Sequence, residues 1–572
     1  MSIENLKYLA KQSAFVRDWA RSRRLSRCHP NWDAAIDADR VAWTDLKNST
    51  VGPRVLFCTS LGSSGYGAVT ALEGLLGIAL TARRATIEYL LCDGILPACQ
   101  ACESSWYPNE KRFALKGPSR AHCRSCYGPA AAAFSALGLP VHQYSGFLTE
   151  GDHRAADSFA SGAATGLNPQ ARFDVHALRE HALAGTLRFY ARGEMASPLA
   201  ASVHKRYLKA SYLTALVVQR IIEDRGYDVV VTHHGIYVPQ GIVAEVARSC
   251  GKRVVTWHMA YRKKSFIFSH NDTYHHTMMS EPTGVWEEIP WNESRDKEIT
   301  DYLKSRAYGT SDWIHFHRKV EDDFAEIQKS LGLRPDLPVV GLLTNVVWDA
   351  QLHYPANAFP DMLVWLFETI EYFKKRQDLQ LVIRVHPAEL RGTVVAMQRV
   401  VDEIRNRFPV VPSNVFVVPP DSPISTYALS SRCNAVLIYG TKTGVELASF
   451  GTNIIVAGEA WSRNKGFTID VSSPEEYFSV LDTLPLASGM SEAQVLRARK
   501  YAYHFFFRRM IPVDAVNPRT GYPPFDIGLN SVEDVLPGKS VGLDVICDGI
   551  LTGAPFVFPY ELQGSTRSKL IP

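Results

Sequence analysis

The amino-acid sequence predicts an α/β protein with two Rossmann-like domains. Short apolar runs typical of buried strands alternate with helical stretches over residues 51–335 and again over residues 336–500. This alternation is typical of parallel sheets that helices cover on both faces. The chain has 572 residues, which is more than one hydrophobic core usually accommodates, and its hydrophobic content of 46% is ordinary for a globular protein.

The first domain is predicted to follow a helical arm at residues 1–50 and to extend from 51 to 335. It opens with a strand at 54–59, a glycine-containing loop at 62–67 and, after a helix rich in alanine and leucine, a second strand at 86–91. Strand, loop, helix and strand form one Rossmann-type unit. Because the glycine spacing is not G-x-G-x-x-G, a tight turn that lets the helix pack on the strand stays an open alternative to a dinucleotide site.

The second domain, residues 336–500, is predicted from a regular series of apolar runs. The expected strands are residues 339–344, 379–385, 414–418, 434–439 and 453–457. The last segment, residues 501–572, is predicted to be a helix that returns to the first domain, followed by an irregular tail.

The net charge and the hydropathy pattern indicate which binding partners and which cellular location to expect. A net charge of +4 gives no electrostatic reason to expect nucleic-acid binding. No apolar run approaches the roughly 20 residues of a transmembrane helix, and the first residues lack the apolar core of a signal peptide. These features predict a cytoplasmic protein. The aromatic run at 505–507 leaves two interpretations open, contact with the inner face of a membrane and a buried helix face.

Residues 435–451 predict an anion-binding loop. An apolar strand leads into a loop of small residues, and a helix is expected to begin at Thr443. Backbone N–H groups at a helix start, together with the helix dipole, favour a phosphate. Thr441, Lys442 and Thr443 would line this pocket, with Lys442 as a point charge and Thr443 as a hydroxyl N-cap.

Two neighbouring segments are expected to complete the pocket. His386 follows another predicted strand, and ligands of open α/β sheets bind beyond the carboxyl ends of strands. His386 would donate to a phosphate oxygen, and Glu446 would accept from ribose hydroxyls. In the loop at 458–466, Trp461 would stack on a base or sugar and Lys465 would pair with a charge. A core histidine and an ordinary surface loop are the alternatives.

Short motifs of the second domain form a set. They are His386-Pro387, Asn414-Val415, Ser425-Thr426-Tyr427, Thr441 to Glu446, Gly451, Gly458 and Lys465 to Thr468. Over residues 338–480 this set resembles the capsule polysaccharide biosynthesis proteins, a family related to bacterial Kdo transferases. The resemblance implies the GT-B glycosyltransferase architecture, in which the C-terminal domain binds a nucleotide-sugar donor and the N-terminal domain binds the acceptor.

The resemblance also implies roles for the pocket residues. His386 would contact the donor phosphate, and Glu446 would bind the nucleotide sugar. Thr441, Lys442 and Thr443 would surround the phosphate. The implied reaction transfers a sugar, Kdo or a similar acidic sugar, from a nucleotide carrier such as CMP to a glycan or glycolipid acceptor. Peripheral association with a membrane polysaccharide-assembly complex is compatible with this role.

Such a transfer needs a general base for the acceptor hydroxyl, and positive charge or N–H donors for the leaving phosphate. The base is expected in the N-terminal domain. The candidates, in order of preference, are His234, Asp93 and His258, which all lie at or near predicted strand ends. A structural role is the alternative for each of them.

Two other functions fit the same architecture. A UDP-sugar 2-epimerase also uses two Rossmann-like domains and a nucleotide pocket, but it interconverts a UDP-HexNAc without any acceptor. A non-catalytic scaffold of the polysaccharide-assembly complex would keep the fold without the activity.

Four cysteines predict a structural metal site in the first domain. Cys99 and Cys102 are followed, 20 residues later, by Cys123 and Cys126. The pattern C-x2-C-x20-C-x2-C is typical of four thiolates around one zinc ion. We therefore expect a zinc-knuckle insertion at residues 92–130, with an iron–sulfur cluster as the alternative.

Overall fold

The computed structural model describes residue 16 and residues 30–37, 39–62, 67–162, 172–306, 309, 311–313, 321–349, 354–392, 394–521 and 523–562. Most of the predicted arm at 1–50, and residues 63–66 of the predicted glycine-containing loop, lie outside the described residues. The chain divides into two compact units. The first unit comprises Met1–Tyr190, Met195–Tyr274 and Arg509–Pro572, and the second comprises Ala191–Glu194 and His275–Arg508.

The first unit is built on a mainly parallel sheet. Its strands before the second unit are β1 (Arg54–Ser60), β2 (Thr86–Leu91), β3 (Val141–Gln143), β4 (Val229–His233), β5 (Arg253–Met259) and β6 (Ser265–His270). They are ordered β6-β5-β4-β1-β2-β3 in the sheet, and only β6 runs antiparallel to its neighbour β5. The central strands are buried along almost their whole length because helices cover the sheet.

Nine helices described between residues 30 and 250 surround the sheet. They are α1 (Trp32–Asp37), α2 (Arg40–Asn48), α3 (Gly67–Thr81), α4 (Glu110–Lys116), α5 (Arg120–Ala136), α6 (Glu150–Ser161), α7 (Val175–Tyr190), α8 (Ala200–Arg225) and α9 (Gln240–Ser249). Every residue of α3 is buried, as expected for a helix that is apolar on all sides. A Cβ atom at Gly77 of α3 would lie 2.0 Å from the hydroxyl of Tyr89, so glycine permits the close packing of α3 on β2.

The second unit contains a fully parallel sheet. Its helices are α10 (Tyr274–Ser280, which begins at the unit boundary), α11 (Gly284–Glu287), α12 (Glu293–Arg306), α13 (Phe324–Leu331), α14 (Met362–Phe373), α15 (Ala388–Arg391), α16 (Val400–Arg407), α17 (Thr426–Ser430), α18 (Thr443–Ala448), α19 (Pro474–Leu481) and α20 (Glu492–Tyr503). Its strands are β7 (Val339–Leu343), β8 (Gln380–Arg384), β9 (Val415–Val418), β10 (Ala435–Ile438), β11 (Ile454–Val456) and β12 (Ile469–Asp470). The order β12-β11-β10-β7-β8-β9 places β7 at the centre, between β10 and β8.

The chain then returns to the first unit. β13 (Ile511–Pro512) pairs antiparallel with β6 and becomes the seventh strand of the first sheet. β14 (Val516–Pro518) and β15 (Phe525–Ile527) form a separate antiparallel pair, and α21 (Val541–Thr552) follows.

The unit boundary at residue 275 differs from the predicted boundary near 335. The reason lies in α13, where Ile327 packs in one apolar cluster with Val339, Val382 and Leu429. This segment therefore contributes to the core of the second unit. The aromatic run at 505–507 is buried, as the second of the two interpretations expects. Within the described residues, no helix is both long enough and apolar enough to cross a membrane.

Candidate functional site

Three adjacent strand ends of the second unit meet at the predicted phosphate pocket. Thr344 and Asn345 follow β7, His386 lies shortly after β8, and Gly440 lies shortly after β10. The Thr344 hydroxyl accepts the backbone N–H of His386 at 3.1 Å, and the Asn345 side chain accepts that of Gly440 at 3.2 Å. The central strand end therefore joins the two predicted motifs. Thr344 and Asn345 themselves were not predicted, because they belong to no recognisable motif.

The His386 ring has a defined tautomer when it is neutral. The backbone N–H of Ala388 points at its Nδ1, at 3.1 Å. Because Nδ1 accepts this hydrogen bond, the hydrogen of the neutral ring lies on Nε2. The half-buried imidazole can thus donate from Nε2 to an anionic oxygen.

The loop after β10 leads into the predicted helix. The prediction of Thr443 as its N-cap is wrong, because Thr443 is already the first helical residue and Lys442 is the N-cap, without a side-chain capping hydrogen bond. Helix α18 begins at Thr443 and is six residues long. The Thr441 hydroxyl accepts the backbone N–H of Thr443 at 3.3 Å and lies 3.2 Å from the Thr443 hydroxyl. A Cβ atom at Gly444 would lie 2.6 Å from the Ile438 side chain, so the small residue lets α18 start directly against its strand.

Glu446 is the centre of a buried charge network. Its side chain is fully buried, and it accepts hydrogen bonds from Lys442 Nζ at 2.7 Å and from the Tyr427 hydroxyl. Arg306 Nε lies 3.2 Å from the same carboxylate. Burial alone would raise the pKa of Glu446, but the charges of Arg306 and Lys442, with the hydrogen bonds from Lys442 and Tyr427, lower it to about 2. Glu446 is therefore ionised at neutral pH.

Arg306 extends this network to a second carboxylate. It forms an ion pair with Asp312, and it donates to the Tyr302 hydroxyl at 3.0 Å. The Tyr302 hydroxyl donates in turn to Asp312 at 2.9 Å. Two cations thus face two carboxylates behind the loop. The sequence predicts that Lys442 binds a phosphate, but in the structure its ammonium forms an ion pair with Glu446.

Lys465 and Trp461 lie in the interior of the second unit. Lys465 Nζ donates to the carbonyl oxygens of Met279 at 3.1 Å and Glu281 at 3.0 Å. The Trp461 ring lies 5.4 Å from the ring of His275, measured between centroids. Both side chains are almost completely buried, so their loop is part of the packed structure, and the donor-binding role of Lys465 stays a prediction.

In the first unit, two of the three candidate bases lie side by side. The ring centroids of His234 and His258 are 4.9 Å apart, and His233 lies 5.8 Å from His234 and 5.1 Å from His258. His234 follows β4 in the left-handed region, with φ of 65°. Such a conformation is uncommon for a residue other than glycine and often occurs at functional sites.

Asp93, the remaining candidate, lies at a different strand end. It comes shortly after β2, which β1 separates from β4 in the sheet. Its carboxylate accepts the backbone N–H of Ser145 at 3.3 Å. Asp93 is therefore not a member of the histidine cluster.

Two of the four cysteines that the zinc prediction names lie close together. Cys99 Sγ and Cys102 Sγ are 3.9 Å apart, close to the roughly 3.8 Å between two thiolates of a tetrahedral zinc site with Zn–S bonds of about 2.3 Å. Cys123 and Cys126 lie on α5. Among the residues that the structure describes, no group of three or more His, Cys, Asp or Glu side chains is arranged to hold a metal ion. The zinc knuckle therefore stays a prediction.

Comparison with known proteins gives distant structural similarities. No protein-family model matches the chain, and no curated protein does. The chain is similar to the KpsC beta Kdo 2,4 transferase of Thermosulfurimonas dismutans, with 14% identity and a TM-score of 0.31, over 48% of this chain and 80% of that chain. For the KpsC beta Kdo 2,7 transferase of the same organism the values are 10%, 0.32, 56% and 88%. For the UDP-GlcNAc 2-epimerase of Methanocaldococcus jannaschii, solved with UDP-GlcNAc and UDP, they are 12%, 0.25, 51% and 79%.

Proposed function

We propose that the protein is a glycosyltransferase of surface-polysaccharide assembly and that its second unit binds a nucleotide-activated sugar. The observation that carries this proposal is the hydrogen-bonded junction of three strand ends, where Thr344 and Asn345 link His386 to Gly440. Ligands of open α/β sheets bind at such an edge. The donor is proposed to be CMP-Kdo or a related acidic sugar, as the motif resemblance implies, and the acceptor a glycan or glycolipid.

The groups at this edge suit a leaving phosphate. Negative charge grows on the phosphate as the bond to the anomeric carbon breaks, and preorganised donors stabilise it. His386 Nε2 and the hydroxyls of Thr441 and Thr443 are such donors. The ion pair with Glu446 fixes the position of the Lys442 ammonium, but the carboxylate also offsets much of its positive charge.

Nucleotide binding by the whole chain tests the proposal. We expect CMP or UDP to bind in isothermal titration, and His386→Ala to weaken this binding roughly tenfold to a hundredfold, the value of one hydrogen bond to a charged group. His153→Ala, in the first unit, is the matched histidine control and should bind as the wild type does. Equal binding by the wild type and His386→Ala would contradict the proposed pocket.

Turnover separates the proposed reaction from its alternatives. The chain is incubated with CMP-Kdo and a panel of UDP-sugars, with and without glycan acceptors, and the products are followed by NMR. Sugar transfer that requires an acceptor supports the glycosyltransferase. Interconversion of a UDP-HexNAc without acceptor would identify an epimerase instead. Nucleotide-sugar binding and turnover that are both undetectable would favour a scaffold.

A further inference from the structure

The histidine cluster of the first unit rests on a buried carboxyl group. Glu73 lies in α3, and only 2% of its surface is exposed. Its Oε1 accepts the indole N–H of Trp257 at 3.1 Å and the hydroxyl of Thr59. Burial raises the pKa of Glu73 to about 8, although both hydrogen bonds act in the opposite direction. The group is thus mostly neutral at pH 7, and its two partners hold it in place.

The two partners of Glu73 contact His233 from different strands. The Thr59 hydroxyl, which donates to Glu73, accepts the backbone N–H of His233 at 3.0 Å. The Trp257 ring lies against His233, with 4.9 Å between the centroids. Trp257 also directly precedes His258 in β5. Glu73 therefore fixes side chains on both sides of His233.

His233 in turn packs on His258. Their rings are stacked, with an interplanar angle of 21°. Burial, with a smaller effect of His258, holds the pKa of His233 well below its usual value, so this ring is neutral. His258 Nδ1 lies 2.7 Å from the Met259 carbonyl oxygen, which can only accept. In the neutral His258 ring, Nδ1 therefore carries the hydrogen and Nε2 has the basic lone pair.

We propose that His258 is the general base of the transfer and that Glu73 is its positioning residue; this inference rests on the proposed function. His258 Nε2 takes the proton of the acceptor hydroxyl, whose oxygen forms a bond to the anomeric carbon. The bond from that carbon to the phosphate oxygen breaks, and its electron pair leaves with the nucleotide. Other titratable side chains near Glu73 and the cluster are Cys58, Tyr89, Tyr237 and Tyr274.

A substrate-independent measurement tests the positioning role. Diethyl pyrocarbonate reacts with neutral imidazole, so the pH dependence of its reaction rate, read by peptide mass spectrometry on the whole chain, reports the titration of each histidine. In Glu73→Leu we expect the midpoint of His258 to move by about half a pH unit or more, since the groups around the ring rearrange. Glu73→Gln keeps an oxygen acceptor for Thr59 and Trp257 and should restore the wild-type midpoint.

A second buried carboxyl group of the first unit, on a strand of the sheet, provides the matched control. Glu88 of β2 accepts a hydrogen bond from His142 Nε2 at 2.6 Å. Glu88→Leu removes a buried carboxyl group that binds a different histidine, so it should leave the midpoint of His258 unchanged. Thr59→Val is the second test of the connection, and it decides the question if Glu73→Leu does not fold. A His258 midpoint unchanged in Thr59→Val, and in Glu73→Leu if it folds, overturns the positioning role.

Kinetics test the assignment of the base. Glu73→Leu should lower kcat roughly tenfold to a hundredfold with little change in KM, because a misplaced catalytic group slows the reaction step. Glu73→Gln should recover most of the rate. Wild-type kcat in His258→Ala overturns the assignment. If the wild type turns over no nucleotide sugar, the transferase and its base are both refuted, whereas the titration experiment still decides the role of Glu73.

Discussion

Replacing Glu446 by glutamine is expected to destabilise the protein by about 3–5 kcal/mol at neutral pH, the usual cost of breaking a buried ion pair. The amide has the same shape but no charge. It leaves Lys442 without its carboxylate partner at 2.7 Å, while Arg306 keeps the ion pair with Asp312. The pKa of the carboxyl group gives a similar magnitude. A pKa that is lowered from 4.5 to about 2 on folding corresponds to about 3 kcal/mol.

The lowered pKa of Glu446 also determines how the stability of the protein depends on pH. Because folding lowers this pKa, the stabilisation is fully present above pH 4.5 and is lost as the pH falls towards about 2. Urea unfolding of the wild type and Glu446→Gln should therefore show a large difference at about pH 7 and a smaller one at about pH 3.

An exposed ion pair of the second unit serves as the control. Asp378 lies 2.8 Å from Arg376, and 58% of its side chain is exposed. Asp378→Asn should cost less than about 1 kcal/mol, since water and salt screen such pairs. A cost of Glu446→Gln as small as that of the control, or a difference from the wild type that does not change with pH, would refute the reasoning.

Three further predictions concern other groups. Thr344→Val removes the acceptor of the His386 N–H and should raise the Kd for nucleotide about fivefold in isothermal titration; an unchanged Kd would contradict the junction. Glu389 is buried, and burial raises its pKa from 4.5 to about 7, so its contribution to stability is lost as the pH rises between these values. Glu389→Gln should therefore be more stable than the wild type by about 3 kcal/mol at about pH 8 and equally stable at about pH 4, as measured in urea. The zinc prediction expects about one zinc per chain by elemental analysis, decreased in Cys102→Ser and unchanged in Cys433→Ser; wild-type protein without metal would refute it.

The buried strands are the part of the fold that the sequence predicts best. β2 occupies Thr86–Leu91, the predicted residues, and α18 begins at the predicted Thr443. In both places the signal is local, because β2 consists mainly of apolar and aromatic residues and a loop of small residues precedes α18. The antiparallel strands β6 and β13 were not predicted. Their pairing joins segments that are far apart in the chain, and neither has a periodic pattern of its own.

Candidate site residues at strand ends are also easier to identify from the sequence than the residues that form hydrogen bonds with them. His386 and Gly440 belong to motifs, whereas Thr344 and Asn345, which join them, do not. In the first unit, the sequence shows two adjacent histidines at the end of β4, but nothing local connects them to Glu73 in α3. Such connections depend on the order of strands in the sheet, which periodicity does not determine.

One side-chain pair is indicated by its spacing in the sequence. Lys442 and Glu446 are four residues apart, and side chains at that spacing are neighbours on a helix, so opposite charges there commonly pair. The structure shows this pair, with Arg306 added from α12. Two cations facing two carboxylates make a nearly neutral group, so this network supplies no excess positive charge for the proposed phosphate. At the proposed site, recognition would then depend mainly on oriented N–H and O–H donors, and Thr344 helps to orient them through its hydrogen bond to the His386 backbone.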